Sequence, residues 1–292
     1  MTSPLQRVLI TGASGLLGSP LTRRFKHLGS WYVVAKNHAQ LDITDLDAVR
    51  KVMRREAPNV VVNCAAFTKV DACEAQHELA NRVNGEGAGI IAEAAAEIDA
   101  RFVHISTDYV FDGNSNRPYR EDDPPAPPER LNAYGRSKLL GEQQVTAHHP
   151  SPLIVRTSWV FGEDGPCFPK TILRLAKERP ELRVVNDQLG SPTYAADLAD
   201  ALFALNNGPG VTGLFHITNS GACTWFEFAQ EILRAAGLTT PIIPVTTQQF
   251  PLPAKRPAYS VLDNTRFNEI MGRSMRNWRD ATNAFITNTQ SQ

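Results

Sequence analysis

The stretch Arg7-Val8-Leu9-Ile10-Thr11-Gly12-Ala13-Ser14-Gly15-Leu16-Leu17-Gly18 decides the fold. An apolar run, Val8 to Ile10, breaks into a glycine-spaced turn. The turn opens a segment with helical periodicity at Leu16, Leu17, Leu21, Phe25 and Leu28. Strand, tight turn and helix in that order place glycines where a backbone must approach a pyrophosphate. The first turn of such a helix carries unpaired N–H groups and the positive end of the helix dipole, so an anion is stabilised there. On this reading Gly12 and Gly15 admit the phosphates, and Gly18 lets the helix pack close to the sheet. The spacing is Gly-x-x-Gly-x-x-Gly, and taken alone it also suits a plain tight connection.

Composition bounds the rest. A chain of 292 residues is long enough for roughly two domains, or for one large α/β unit with an appendage. Lys plus Arg and Asp plus Glu are 30 each, so the formal net charge is zero and nothing points to nucleic acid. There is no long apolar span and no basic-then-apolar leader, and the first strand begins almost at once, so a cytoplasmic location and no membrane partner are expected. Cys64, Cys73, Cys167 and Cys223 form no Cys-x-x-Cys pair and read as reduced thiols. Clustered Cys and His are absent, so no zinc site is expected. His148-His149 reads as a surface helix end, and His104 and His216 as strand residues.

Outward from the opening turn, Trp31 to Val34 reads as a second strand. A carboxylate just after such a strand repels a 2′-phosphate, whereas Lys36 attracts one. This favours NADPH and leaves NADH open. Thr44 or Asp45 caps a helix over 46–55. Asp42 suits either the adenine edge or an ordinary turn. Val60 to Asn63 is a buried parallel strand whose end, Cys64-Ala65-Ala66-Phe67, is small enough to leave room for a cofactor. A helix follows over 80–97, with Asn84 a candidate polar link to the site. Arg101 to Asp108 is a strand that ends in Ser106, Thr107 and Asp108, at the edge where open α/β sheets bind ligands. The proline-rich stretch 112–132 cannot be helix or central strand and reads as a loop over the crevice.

Tyr134 and Lys138 then stand one helical turn apart, on one face. An ammonium beside a phenol favours the phenolate, so the tyrosine pKa, ordinarily about 10, is expected to fall. A tyrosine tuned in that way passes a proton to a developing alkoxide. The pair lies between the hydroxyl-bearing strand and the next strand, Leu153 to Arg156. Further on, 195–205 reads as a helix and 214–218 as a strand completing the sheet. Thr224 with Glu227 forms a capping box, and the polar tail from Thr287 is expected to fray.

Together, Thr11-Gly-Ala-Ser-Gly-Leu-Leu-Gly18, Asn63-Cys64-Ala65-Ala66, Ser106-Thr107-Asp108 and Tyr134-x-x-x-Lys138 resemble the extended short-chain dehydrogenase/reductase superfamily. Three further stretches narrow the likeness to the dTDP-4-dehydrorhamnose reductase family: Ser106 to Gly113, Arg156 to Gly162, and Asp187 to Thr193. Arg256-Pro-x-Tyr259-Ser-Val-Leu-Asp263 fits too, so the likeness covers almost the whole chain. It implies an α/β fold, a doubly wound parallel Rossmann sheet in 1–163 completed by about 192–219, with a smaller C-terminal substrate-binding lobe mainly in 164–292.

The implied activity is reduction of the 4-keto group of a nucleotide-linked deoxysugar, dTDP-4-dehydro-L-rhamnose to dTDP-L-rhamnose, in dTDP-rhamnose and cell-surface polysaccharide biosynthesis. The resemblance also implies the roles: Tyr134, Lys138 and Thr107 catalytic; Thr107, Asp108, Trp159, Gln188 and Arg256 at the sugar nucleotide, with Arg256 suited to a bidentate phosphate contact. Cofactor contacts are expected from Gly12, Ser14, Gly15, Leu16, Leu17, Gly18, Lys36, Asp42, Ile43, Ala65, Ala66, Phe67, Tyr134 and Lys138. Some relatives form a metal-bridged dimer through an acidic residue of the first helix. The segment Ser19 to Arg24 has none, so no metal is carried over and a homodimer stays one option. Two rivals remain: another nucleotide-sugar epimerase or reductase, and a dinucleotide-binding regulatory subunit like the β subunit of methionine adenosyltransferase.

Overall fold

The computed structural model describes residues 5–27, 30–208 and 210–290. Strand β1 (Gln6–Thr11) carries Val8, Leu9 and Ile10 with no exposed surface, as an inner parallel strand covered on both faces requires. Helix α1 (Gly18–His27) turns Leu21 and Phe25 inward; Leu28, expected in the same stripe, lies outside the described residues. There follow β2 (Trp31–Lys36), α2 (Leu46–Glu56) and β3 (Val60–Asn63). Asp45 caps α2 by accepting the Ala48 N–H at 3.0 Å.

Where one helix over 80–97 was expected, the chain forms α3 (Val70–Ala75), α4 (His77–Ala80), a π-helical turn at Asn81–Glu86, and α5 (Gly87–Ala96). Then come β4 (Arg101–Thr107), α6 (Ala133–His148) and β5 (Leu153–Thr157). The proline-rich stretch before α6 holds a single 3₁₀ turn, Pro128–Arg130, and Tyr119 is tied by backbone hydrogen bonds to Val261 and Asp263.

Beyond β5 the chain builds β6 (Val160–Phe161), α7 (Phe168–Glu178), β7 (Leu182–Val185), β8 (Leu189–Gly190), β9 (Thr193–Tyr194), α8 (Ala195–Asn207) and β10 (Gly213–His216). It closes with β11 (Cys223–Thr224), α9 (Trp225–Ala236), β12 (Ile242–Val245), α10 (Thr265–Met271) and α11 (Trp278–Gln290). Helix α9 starts with the Thr224–Glu227 capping box.

The central sheet has the order β10-β5-β4-β3-β1-β2, and every neighbouring pair is parallel. From β1 the chain steps outward to β2 and returns across β1 to β3. The order therefore reverses between β1 and β3, which is where such sheets open a ligand crevice at their carboxyl edge. One face packs Leu21 and Phe25 of α1 against Leu198 and Leu202 of α8. The other packs Val49 and Met53 of α2 with Ile91 of α5 and Val145 of α6. A separate core holds the lobe: Ile172 of α7, Phe228 and Ile232 of α9, and Trp278 and Phe285 of α11.

Two expectations are corrected. His149 is not on the surface: its ring is 5% exposed, tilted against Phe102, with Nε2 3.1 Å from the Ala100 carbonyl. The tail does not fray at Thr287, because α11 continues to Gln290 and Asn288 donates to the Tyr194 hydroxyl at 3.0 Å. Among the described residues no helix is long and apolar enough to cross a membrane.

Candidate active site at the sheet's carboxyl edge

The glycine turn sits at the switch point. Gly12 has φ +62°, and a Cβ there would stand 2.7 Å from the backbone of Cys64 and Ala65, so the turn is pressed onto the end of β3. At Gly18 a Cβ would lie 2.2 Å from the Gly12 carbonyl oxygen. Gly18 thus brings the start of α1 against the turn's own backbone, rather than against the sheet as expected. Ser14 and Gly15 are exposed at the mouth of the turn, and the first turn of α1 holds no carboxylate that would oppose an anion. These features fit a dinucleotide pyrophosphate.

Lys36 ends β2, and its carbonyl accepts the Ala13 N–H at 3.1 Å, so it flanks the same turn. Asp42 closes a local turn, accepting from the N–H and hydroxyl of Thr44 at 2.9 and 2.8 Å; the Thr44 N–H holds its carboxyl below the usual range. Ile43 is 4% exposed and packs in the α2–α5 core.

Asn84, on the π-helical turn, is the anticipated polar link. Its Oδ1 accepts the Phe67 N–H at 2.7 Å, and its Nδ2 donates to the Phe67 carbonyl at 3.0 Å and to Ser137 Oγ at 2.9 Å. The extra residue of a π turn re-aims a side chain, and here it fixes the segment after β3 to α6.

On α6, Tyr134, Lys138 and Glu142 follow at four-residue intervals along one face. Asn132 caps the helix by accepting the Gly135 N–H at 2.8 Å. The Thr107 hydroxyl lies beside the Tyr134 phenol and acts to lower its pKa. Thr107 Oγ1 also donates to Asp108 Oδ1 at 3.0 Å and accepts the Tyr109 N–H at 3.2 Å.

The sequence expectation of a lowered phenol pKa is not met in this structure. Burial pushes the Tyr134 phenol above its ordinary value, opposed chiefly by the Thr107 hydroxyl. Burial acts on Lys138 in the opposite sense and pulls it down to about 8, with the Glu142 carboxylate opposing the fall. Lys138 Nζ donates to the Ile105 carbonyl at 2.7 Å and lies 3.3 Å from His104 Nε2. Glu142 is itself held by Arg156 at 2.8 and 2.7 Å and by Ser106 Oγ at 2.5 Å. Asp108, 1% exposed, is pushed up to about 7 by burial, against a hydrogen bond from Ser260.

The remaining substrate candidates divide. Trp159, at φ +47°, stacks on Trp225 with ring centroids 3.5 Å apart and an interplanar angle of 8°. Gln188 accepts from Trp225 Nε1 at 3.2 Å and donates to Thr247 Oγ1 at 2.9 Å. The lobe reaches the crevice through Ser260, whose N–H donates to the Leu189 carbonyl at 2.8 Å and whose side chain meets Asp108. Arg256 is engaged within the protein: its guanidinium grips both carboxylate oxygens of Asp71 at 2.5 and 2.6 Å and donates to the Ala254 carbonyl at 2.6 Å. Tyr109 packs edge-on against Tyr134 at 5.6 Å.

Sequence reasoning gave no site role to Asn63, His104, Glu142, Asp71 or Trp225. Asn63 had a signal in the Asn63-Cys64-Ala65-Ala66 motif, and Glu142 in its place two helical turns beyond Tyr134.

Relatives match this chain over nearly its whole length. SpsK, a spore coat polysaccharide biosynthesis protein of Bacillus subtilis, is 44% identical over 98% of this chain and 99% of its own. A dTDP-4-dehydrorhamnose reductase of Burkholderia thailandensis is 40% identical over 98% of this chain and 100% of its own. A Streptomyces antibioticus relative, a probable dTDP-4,6-dihydroxy-2-methyloxan-3-one 4-ketoreductase, is 41% identical over 94% of this chain and 92% of its own. Among solved structures, the dTDP-4-dehydrorhamnose reductase of Bacillus anthracis in complex with NADP superposes with a TM-score of 0.92 at 39% identity, covering 97% of this chain and 99% of its own. With residues 6–291 matched by the model described as the RmlD substrate binding domain, the chain belongs to that family.

Proposed function

We propose that the protein reduces the 4-keto group of dTDP-4-dehydro-L-rhamnose to give dTDP-L-rhamnose, with NADPH as reductant, in the cytoplasm. The observation that carries this reading is the Tyr134 phenol beside the Thr107 hydroxyl, with Lys138 one helical turn on, at the carboxyl edge of β4. A reduced nicotinamide, when bound, supplies the hydride.

The chain's own residues handle the oxygen and its proton. As negative charge grows on the carbonyl oxygen, Tyr134 gives up its phenolic proton, and Thr107 supports that oxygen or the resulting phenolate by hydrogen bonding. The raised phenol pKa keeps Tyr134 protonated, and therefore a donor, across the neutral range. Lys138 lends positive charge nearby and a hydrogen-bond donor for a ribose hydroxyl. Trp159 and Gln188 face the sugar nucleotide from the lobe, and Lys36 meets the 2′-phosphate.

The test is loss of reduced-nicotinamide absorbance with freshly generated dTDP-4-dehydro-L-rhamnose. Oxidation by the wild-type protein, abolished in Tyr134→Phe, supports the reading. Dinucleotide binding without oxidation of this sugar or of other 4-keto sugars sinks it and favours a regulatory role.

A further inference from the structure

Thr11, Asn63 and His104 are register partners across three adjacent strands, β1, β3 and β4, and all three are buried. Their side chains form one line that ends at Lys138. Asn63 Oδ1 accepts from Thr11 Oγ1 at 2.6 Å and from the Ala65 N–H at 3.2 Å. A backbone N–H only donates, so the amide oxygen must face Ala65, and the Nδ2 group faces His104 Nδ1 at 3.3 Å. A donor at that position requires Nδ1 to accept. The neutral ring therefore carries its proton on Nε2, which points at Lys138 Nζ from 3.3 Å.

An ammonium has three donors and no lone pair, so it cannot accept that proton, whereas a neutral amine can. The Ile105 carbonyl accepts an N–H from either form and does not discriminate. We propose that His104, locked as its Nε2–H tautomer through Asn63 and Ala65, is a positioning residue that favours the neutral amine of Lys138 and so sets the pH at which this lysine changes charge.

Other groups facing Lys138 are accounted for. Glu142 favours the ammonium, but its charge is shared with Arg156, and burial acts against it; the Cys64 thiol, pushed up to about 12 by burial, is uncharged where Lys138 titrates. Burial and the proximity of Lys138 hold His104 well below the usual imidazole range, so the ring is neutral when Lys138 titrates.

The primary experiment needs neither substrate nor cofactor. Long-range nitrogen-15 correlation spectra of the labelled protein separate a protonated from an unprotonated ring nitrogen for each of the seven histidines. His104 is expected to show Nε2 protonated and Nδ1 bare; an Nδ1–H tautomer or an imidazolium overturns the proposal. Its Lys138 Nζ signal is then followed with pH in wild type and His104→Gln. A glutamine amide can rotate to accept from an ammonium, so the midpoint is expected to rise by about one unit, a tenfold change in the proton dissociation constant. An unchanged midpoint overturns the coupling. The alkaline limb of kcat should move with the NMR midpoint. That kinetic arm rests on the proposed reduction, while the spectroscopic arms stand whatever the reaction.

Discussion

Arg256 and Asp71, 185 positions apart, are clasped by two parallel guanidinium–carboxylate hydrogen bonds, and the Ala254 N–H adds a third bond to Asp71 at 3.0 Å. The fork that would suit a phosphate is thus occupied by a carboxylate. If Arg256 serves the nucleotide, Asp71 competes with it. Asp71→Asn is then expected to lower KM for the sugar nucleotide several-fold, and Arg256→Gln to raise it about tenfold or more. Calorimetric titration with dTDP checks the order. Weaker dTDP binding in both variants would show that the clasp only shapes the protein.

Tyr134→Phe removes the proton donor and keeps the ring packed on Tyr109. Turnover should fall by roughly 10²–10⁴ or more with dinucleotide affinity nearly unchanged. Thr107→Val should lose about 10² in kcat, and Thr107→Ser should recover most of it, because the hydroxyl is what acts. Single-turnover kinetics beside a dinucleotide titration separate the two effects.

Asp108 titrates at about 7 in the folded protein, above its ordinary value. The folded chain therefore holds a proton that the unfolded chain releases between about pH 4 and pH 7. That contribution to stability is complete at the acid end and lost as pH rises through 7. Asp108→Asn should remove the loss, stabilising the protein at pH 8 by on the order of 2–4 kcal/mol and flattening the pH dependence of urea midpoints over this window. Equal midpoints for both proteins at pH 8 would contradict the assignment.

Asn84→Ala leaves the Phe67 N–H and carbonyl without their side-chain partner in a half-buried setting. A loss of roughly 1–3 kcal/mol is expected in denaturant unfolding. Activity should fall further than this destabilisation accounts for, because the same amide joins the end of β3 to the helix bearing Tyr134.

Lys36→Asp places a carboxylate where a 2′-phosphate is expected. The ratio of kcat/KM for NADPH over NADH should drop at least about tenfold, equivalent to 1.4 kcal/mol. An unchanged ratio would show that Lys36 is merely solvated.

The parts of the fold that were legible have local causes. The apolar run into the glycine turn, the Asp45 cap, the Thr224–Glu227 box and the four-residue step from Tyr134 to Lys138 each follow from residue type and spacing. The π turn was not legible, since nothing within 80–97 marks it; what it accomplishes is a contact with Phe67. Asp71 and Arg256 share no periodicity across their long separation. His104 was read as a strand residue, which it is, but its line to Thr11, Asn63 and Lys138 exists only once β1, β3 and β4 are in register. The expected drop in the Tyr134 pKa failed for a similar reason: spacing puts an ammonium nearby, but it does not report how much water packing removes.

The face-to-face pair of Trp159 and Trp225 has an optical consequence. Indoles this close and nearly parallel couple their excited states, so they should give a paired positive and negative band in circular dichroism that isolated indoles lack. The other two tryptophans, Trp31 and Trp278, pack against phenylalanines instead. If the sugar nucleotide meets Trp159 as proposed, its arrival would alter that band and give a reporter of occupancy that needs no added label.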